Sequence, residues 1–233
     1  MRVAEGSYAI VRAYGEALKL ANPGTIFEVE VEDRQYFKYI FMALGQCIRG
    51  FLNYIYPVIV VDGTHLYEKY KDTLLIATCI DGNNNIYPIA FSTVDGDNDT
   101  SWTWFMIHLK DSMGDIPNLV IISDCHISIA KVVTCMFLDA FHALCMYHVR
   151  NNLVDKFKNK DIISYFYLAM KVYRMSEFQM YWAKLHQYTD VTTYLEEVGL
   201  QRWARVYQVH YRYDKMTKNI VECLNEVLKV KEL

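Results

Sequence analysis

The chain predicts an α/β domain that passes into an all-helical segment. Three observations carry this: two β-branched runs each end in an aspartate, a strong turn joins two further strand-like stretches, and only helical periodicity remains after Tyr147. With 233 residues, 53% apolar and 22% charged, the chain can bury a sizeable core. Its longest apolar runs, Tyr39 to Leu44 and Tyr165 to Met170, fall far short of a membrane span, and Met1 to Gly6 lacks the apolar stretch of a secretory signal. A cytosolic or nuclear protein with no membrane partner is expected. Cys47, Cys79, Cys125, Cys135, Cys145 and Cys223 are scattered without a Cys-x-x-Cys pair, which suits buried, reduced thiols.

Element by element, Tyr8 to Ala21 predicts a helix stopped by Asn22-Pro23-Gly24, and Thr25 to Val31 alternates as a half-exposed strand. Tyr36 to Arg49 fits strand or helix equally. Val58 to Val61 is a buried strand running into a turn at Asp62-Gly63-Thr64. Thr73 to Ile80 and Ile86 to Val94 flank the turn Asp81 to Asn85 and should pair as a hairpin, with Pro88 pushing the second of them to a sheet edge. Asp99 or Thr100 should cap a helix whose apolar face is Trp102, Phe105, Met106, Leu109 and Met113, ended by Gly114. Leu119 to Ser123 is a buried strand ending in Asp124; a short helix (Ile127 to Met136), a short strand (Ala140 to Leu144) and then helices follow, the last from Met216 to Val230.

Acidic residues just past buried strands stand where open α/β sheets bind their ligands. If the strands before Asp62 and Asp124 are parallel neighbours, the two carboxylates converge on one site, and Mg²⁺ is held by such groups together with phosphate oxygens. Taken singly, each aspartate reads more readily as a turn residue, favoured for its Asx hydrogen bonds; their pairing at matching strand ends leaves both readings open. A haloacid dehalogenase-type phosphatase would need an aspartate two residues before Asp62, where Val60 stands. Charge is uneven: residues 1–142 hold 10 Lys+Arg against 17 Asp+Glu, and residues 143–233 hold 14 against 10. A basic region beside an acidic one suits a phosphate-rich partner, though the asymmetry is weak alone.

The motifs resemble plant Mutator-like element transposases (the MULE/MuDR family) in sequence and order. They are Val61-Asp62-Gly63-Thr64-His65-Leu66, Gly82-Asn83-Asn84 before Tyr87 to Phe91, Ser101-Trp102-Thr103-Trp104-Phe105 and Ile122-Ser123-Asp124. His142 to His148 with Asn151-Asn152-Leu153, Trp203-Ala204-Arg205 and Asn219 to Asn225 continue the match, and Ala21 to Gly24 and Gln46 to Phe51 resemble the family's upstream segment. The resemblance implies a ribonuclease H-like mixed sheet of order 3-2-1-4-5, with an all-helical insertion before the last catalytic helix. The chain then divides into a lead-in (1–55), a ribonuclease H-like core (56–146), a helical insertion (147–213) and the final helix of the core (214–233).

The implied activity is that of a nuclear DNA transposase with Asp62, Asp124 and Glu222 as catalytic, metal-binding carboxylates. Mg²⁺ or Mn²⁺ would be the cofactor, transposon ends and target DNA the partners, and a homo-oligomer the active form. From residues alone Glu222 reads as an ordinary solvated glutamate, opposite the Ile220, Leu224 and Val227 stripe; only the resemblance makes it a ligand, with Glu196 and Glu197 as fallbacks. Cys145-x-x-His148 is an accessory pair and half a zinc site, for which His142 or His126 would have to complete the ligands; zinc is not expected. Cys125 and Cys223 depart from the family pattern. The family's N-terminal DNA-binding module and C-terminal zinc knuckle are not in this sequence, so a fragment or inactive copy is expected as readily as an active one. The alternative is a non-catalytic, domesticated DNA-binding or transcription-regulatory protein.

Overall fold

Val58–His65 (β3) lies in the middle of the sheet. Its β-branched first half pairs in parallel with Val120–Ser123 (β6), and its whole length from Val60 onward pairs antiparallel with Thr73–Ile80 (β4). The computed structural model describes residues 5–32, 36–66 and 72–208. Ile86–Val94 (β5) returns along β4 through the Asp81 turn, where Asp81 Oδ1 accepts hydrogen bonds from the backbone N–H groups of Asn83 and Asn85. Phe141–Leu144 (β7) lies parallel to β6 on its far side.

Upstream, Glu5–Ala21 (α1) is followed by Ile26–Glu32 (β1), Tyr36–Ala43 (β2) and Gly45–Tyr54 (α2). Among the described residues the result is a mixed α/β architecture with a seven-stranded sheet, ordered β1-β2-β5-β4-β3-β6-β7. The stretch from Tyr36 to Arg49, ambiguous in sequence, is a strand and then a helix. Tertiary contacts decide the break at Leu44. A Cβ on Gly45 would collide with the Pro23 carbonyl oxygen, so only glycine lets α2 start against the preceding turn. Three hydrogen bonds hold that junction: Gly45 N–H to Thr25 Oγ1, Gln46 N–H to Asn22 Oδ1, and Arg49 Nη1 to the Pro23 carbonyl at 2.6 Å.

The edge position expected for Pro88 is corrected. β5 is an inner strand, because β2 pairs with it at Phe91, Ser92 and Thr93; the outer strands among the described residues are β1 and β7. Pro88 sits outside the span that β2 pairs, opposite Thr78 where the β4–β5 register shifts, so its missing N–H is tolerated locally.

Asp99–Met113 (α3) and Ile127–Met136 (α4) join α2 on one face of the sheet. Trp102, Phe105, Met106 and Leu109 bury the expected stripe against Ile59, Val61, Leu75 and Ile121. The cap differs from expectation: Asn98 Oδ1 accepts the Ser101 N–H at 3.0 Å, one residue earlier than predicted. Asp99 is thereby free to bind Ser128 and Lys131 of α4 instead, tying the two helices together. The opposite face of the sheet carries Val58, Val60, Ile76, Ile80, Val120, Ile122 and Ala143.

After β7 come Met146–Phe157 (α5), Lys160–Lys171 (α6), Met175–Leu185 (α7), Thr189–Val198 (α8), Leu200–Trp203 (α9) and a single 3-10 turn, Arg205–Tyr207. They enclose a separate cluster around Trp203, which is fully buried, with Phe166 at 5.3 Å, Phe178 and Trp182 at 6.2 Å between ring centroids. Its indole N–H donates to the Leu195 carbonyl at 3.0 Å, so the ring is fixed at both its apolar and polar ends. No helix of the described residues is long and apolar enough to cross a membrane. Trp203→Ala should destabilise the chain by about 3–5 kcal/mol, read as a lower denaturant midpoint with loss of the near-ultraviolet aromatic signal. Trp203→Phe should cost clearly less.

Candidate active site

Asp62 and Asp124 both follow the carboxyl end of the parallel pairing of β3 with β6. β3 and β6 are in register at Val58↔Val120, Ile59↔Ile121 and Val60↔Ile122, and the same offset carried two residues past the last pair would set Asp62 level with Asp124. Adjacent strands are about 4.8 Å apart, so carboxylates at one level can share a cation. Side chains alternate along a strand, which puts Asp62 on the face of Val58 and Val60, away from α3.

The turn expected at Asp62-Gly63-Thr64 is strand instead. β4 continues alongside, with Asp62↔Ile76, Gly63↔Leu75 and Thr64↔Leu74, while β6 has already ended at Ser123. The parallel pairing therefore stops just before the two aspartates, and the half-buried carboxylates stand where the strands part. Gly63 faces the other way: a Cβ there would lie 3.1 Å from Leu75 Cδ2 and 3.4 Å from Trp102 Cζ2, so the glycine lets α3 press against the backbone next to Asp62. Asp62 Oδ1 accepts its neighbour Gly63 N–H at 2.9 Å. Asp124 Oδ1 accepts the His126 N–H at 2.9 Å, an Asx turn, so the bland reading of Asp124 as a turn residue is also correct.

Cys145 and His148 belong to the same end of the sheet. Cys145 follows β7 and its N–H donates to the Ser123 carbonyl at 2.7 Å; His148 is in the first turn of α5, one helical step on. Burial works against a proton on His148, but the hydrogen bond and charge of Cys145, together with Asp62 and Asp124, outweigh it and raise the pKa to about 9. Its Nδ1 is buried without a hydrogen-bond partner.

His142 behaves oppositely. Burial, reinforced by the Arg202 guanidinium, lowers its pKa to about 3. Its ring nitrogens are both engaged, Nε2 with Ser123 Oγ at 2.8 Å and Nδ1 with Arg202 Nη2 at 3.0 Å, so it is committed elsewhere than to a Cys145–His148 zinc site. Ser123 and Arg202 are not evident from sequence. The signal for Ser123 is a lone hydroxyl inside a buried apolar strand; Arg202 has none beyond its neighbour Trp203.

The third carboxylate, Glu222, lies outside the described residues. Glu196 and Glu197 are exposed on α8, whose buried face is Val191, Thr192 and Leu195. Among the described residues no group of three or more His, Cys, Asp or Glu side chains is arranged to hold a metal ion. Asp62 and Asp124 fit a magnesium-type ion by donor chemistry, as two hard oxygen ligands that leave room for others.

The two histidines bound stability from both sides. His142 is neutral when folded and takes a proton more readily unfolded, so its contribution is complete above about pH 6.5 and lost as pH falls towards 3. His148 holds its proton more tightly when folded, so its contribution is complete below pH 6.5 and lost as pH rises towards 9. Melting temperature against pH should show both limbs. His142→Gln should flatten the acid limb and His148→Gln the alkaline one.

No curated protein matches the chain. Residues 58–152, from the first residue of β3 into α5, match the family model of the MULE transposase domain, and that segment, which carries Asp62, Asp124, Cys145 and His148, supports a transposase-related function of MULE type.

Proposed function

We propose that this chain is the core of a DNA transposase that hydrolyses and transfers phosphodiester strands at transposon ends, using Mg²⁺ or Mn²⁺ held by Asp62, Asp124 and Glu222. The observation that supports the reading is the parallel register of β3 and β6, adjacent strands whose carboxyl ends lead into Asp62 and Asp124 within the segment matching the MULE transposase domain. The order β5-β4-β3-β6-β7 is the 3-2-1-4-5 order of a ribonuclease H-like core, which supports that fold for the matched segment, with β1 and β2 added beyond β5.

A bound divalent ion would polarise the scissile phosphate and activate the attacking oxygen. Asp62 and Asp124 offer it oxygens on backbones that are held, one in a strand and one in an Asx turn. His148 offsets their negative charge while the protein is metal-free. Glu222, in the segment for which the sequence predicts a final helix, would complete the ligand set if that helix packed its Ile220, Leu224 and Val227 face inward. DNA would lie along the helical region, where Lys156, Lys158, Lys160, Lys171, Arg174 and Lys184 are all exposed. A homo-oligomer acting in the nucleus completes the proposal.

Asp62→Asn, Asp124→Asn and Glu222→Gln should each reduce Mn²⁺-dependent nicking of a transposon-end duplex below detection while leaving the melting temperature within a few degrees. Intact nicking in all three variants would overturn the assignment. If the unsubstituted chain binds duplex DNA but neither binds Mn²⁺ nor nicks, the non-catalytic DNA-binding reading replaces it.

DNA affinity should fall steeply between about 50 and 200 mM salt, through release of counterions from roughly one phosphate per cation. Replacing Lys156, Lys158 and Lys160 by alanine should lower the slope of log affinity against log salt by about 0.9 for each phosphate that these lysines neutralise. An unchanged slope would remove these lysines from the interface.

A further inference from the structure

Both residues that flank Asp124 are tied to the helical region, Ser123 by hydrogen bonds and Cys125 by packing. On one side, Arg202 of α9 donates from Nη2 to His142 Nδ1 at 3.0 Å. An arginine has donors only, so Nδ1 must accept and the ring proton must sit on Nε2. Nε2–H then donates to Ser123 Oγ at 2.8 Å, and the Ser123 hydroxyl donates onward to the Asp124 carbonyl oxygen at 2.8 Å. Every direction in this chain is set by the guanidinium at its start. On the other side, Cys125 packs against the apolar cluster of the helical region, where Asn152 Nδ2 donates to the Tyr194 hydroxyl of α8 at 3.2 Å.

The chain is placed where small movements matter. Ser123 is fully buried at the last position of β6, and the Ser123 carbonyl accepts from Cys145 N–H at 2.7 Å. Trp203, next to Arg202, is wedged in the aromatic cluster, so α9 cannot shift without disturbing that packing. Cys125 packs against the same cluster, so the residue that departs from the family pattern after Asp124 makes an apolar contact.

We infer that Arg202, His142 and Ser123 form a positioning relay that fixes the backbone of Asp124 and couples docking of the helical region to the cation affinity of the Asp62–Asp124 pair. The inference rests on reading that pair as a metal centre. The three are positioning residues: they touch neither substrate nor ion, and they act through the main chain of Asp124. Neutrality of His142 belongs to the same arrangement, because a second ring proton on Nδ1 would face the guanidinium.

Two measurements on the full chain test it. Long-range ¹H–¹⁵N correlation of the His142 ring at neutral pH should show one neutral tautomer with the proton on Nε2, and Arg202→Met should abolish that single-tautomer preference. Titration with Mn²⁺ alone should then show Ser123→Ala, Arg202→Met and His142→Phe weakened by about 10–100-fold, the range for partners that orient a metal ligand. His142→Gln, whose amide can still donate towards Ser123, should recover much of the loss.

A proton on Nδ1 overturns the relay whatever the metal data show. So does unchanged Mn²⁺ affinity in folded Ser123→Ala and Arg202→Met. If Asp62→Asn and Asp124→Asn also bind Mn²⁺ as the parent does, the metal-centre reading has failed, a result separable from the relay because the tautomer is measured without metal. Should a variant not fold, the tautomer of the parent chain decides.

Discussion

The parallel pairing of Val58–Val60 with Val120–Ile122 is the constraint on which the rest of the molecule depends. Side chains alternate with a period of two, so slipping β6 against β3 by one residue would destroy the level arrangement of Asp62 and Asp124, and flipping β3 would turn Asp62 towards Trp102. Packing forbids both. Ile59, Val61 and Ile121 are completed by α3 and α4 on one face, while Val58, Val60, Val120 and Ile122 form their own cluster on the other. Gly63 packs closely under Leu75 and Trp102, where a Cβ would require Leu75 to give by a few tenths of an ångström. A site for two carboxylates is thus set by hydrophobic surfaces that contain no charge.

Two histidines close to one another in the chain show how the same physical terms give opposite outcomes. Burial disfavours the proton on both. Beside His142 the nearest charge is a guanidinium, which adds to burial and strips the ring. Beside His148 the neighbours are Cys145, Asp62 and Asp124, which outweigh burial and keep the proton. The first ring is thereby a neutral connector with one donor and one acceptor, and the second is a counter-charge. The helical region contributes to both, through Arg202 from α9 and through α5, which carries His148.

Most of the sheet was legible because its signals are local. β-branched runs, the Asp81 turn and the α3 stripe depend only on near neighbours in sequence, and β3, β4, β5, β6 and β7 all lie within a residue or a few of their expected positions. Errors arose where a distant segment decides. Asp62-Gly63-Thr64 looks like a turn by composition, but β4 offers it partners and it stays extended. Pro88 argues for an edge, but β2 comes from about fifty residues upstream to pair further along the strand. Among the candidate residues, Asp62 and Asp124 were visible from their place after apolar strands, and Cys145 and His148 from the family resemblance. Arg202 was not, because nothing in a lone arginine tells which ring it will meet sixty residues away.

The sequence by itself determined the order of strands and helices, the two aspartates after apolar strands, and the change to helices after β7, since periodicity and turn chemistry act over a few residues. Tertiary structure alone decided that β1 and β2 extend the same sheet, that Tyr36–Ala43 is a strand and Gly45–Tyr54 a helix, and that Glu196 and Glu197 stay in solvent. It also decided the protonation of His142 and His148, because burial and neighbouring charge exist only once the chain has folded around them.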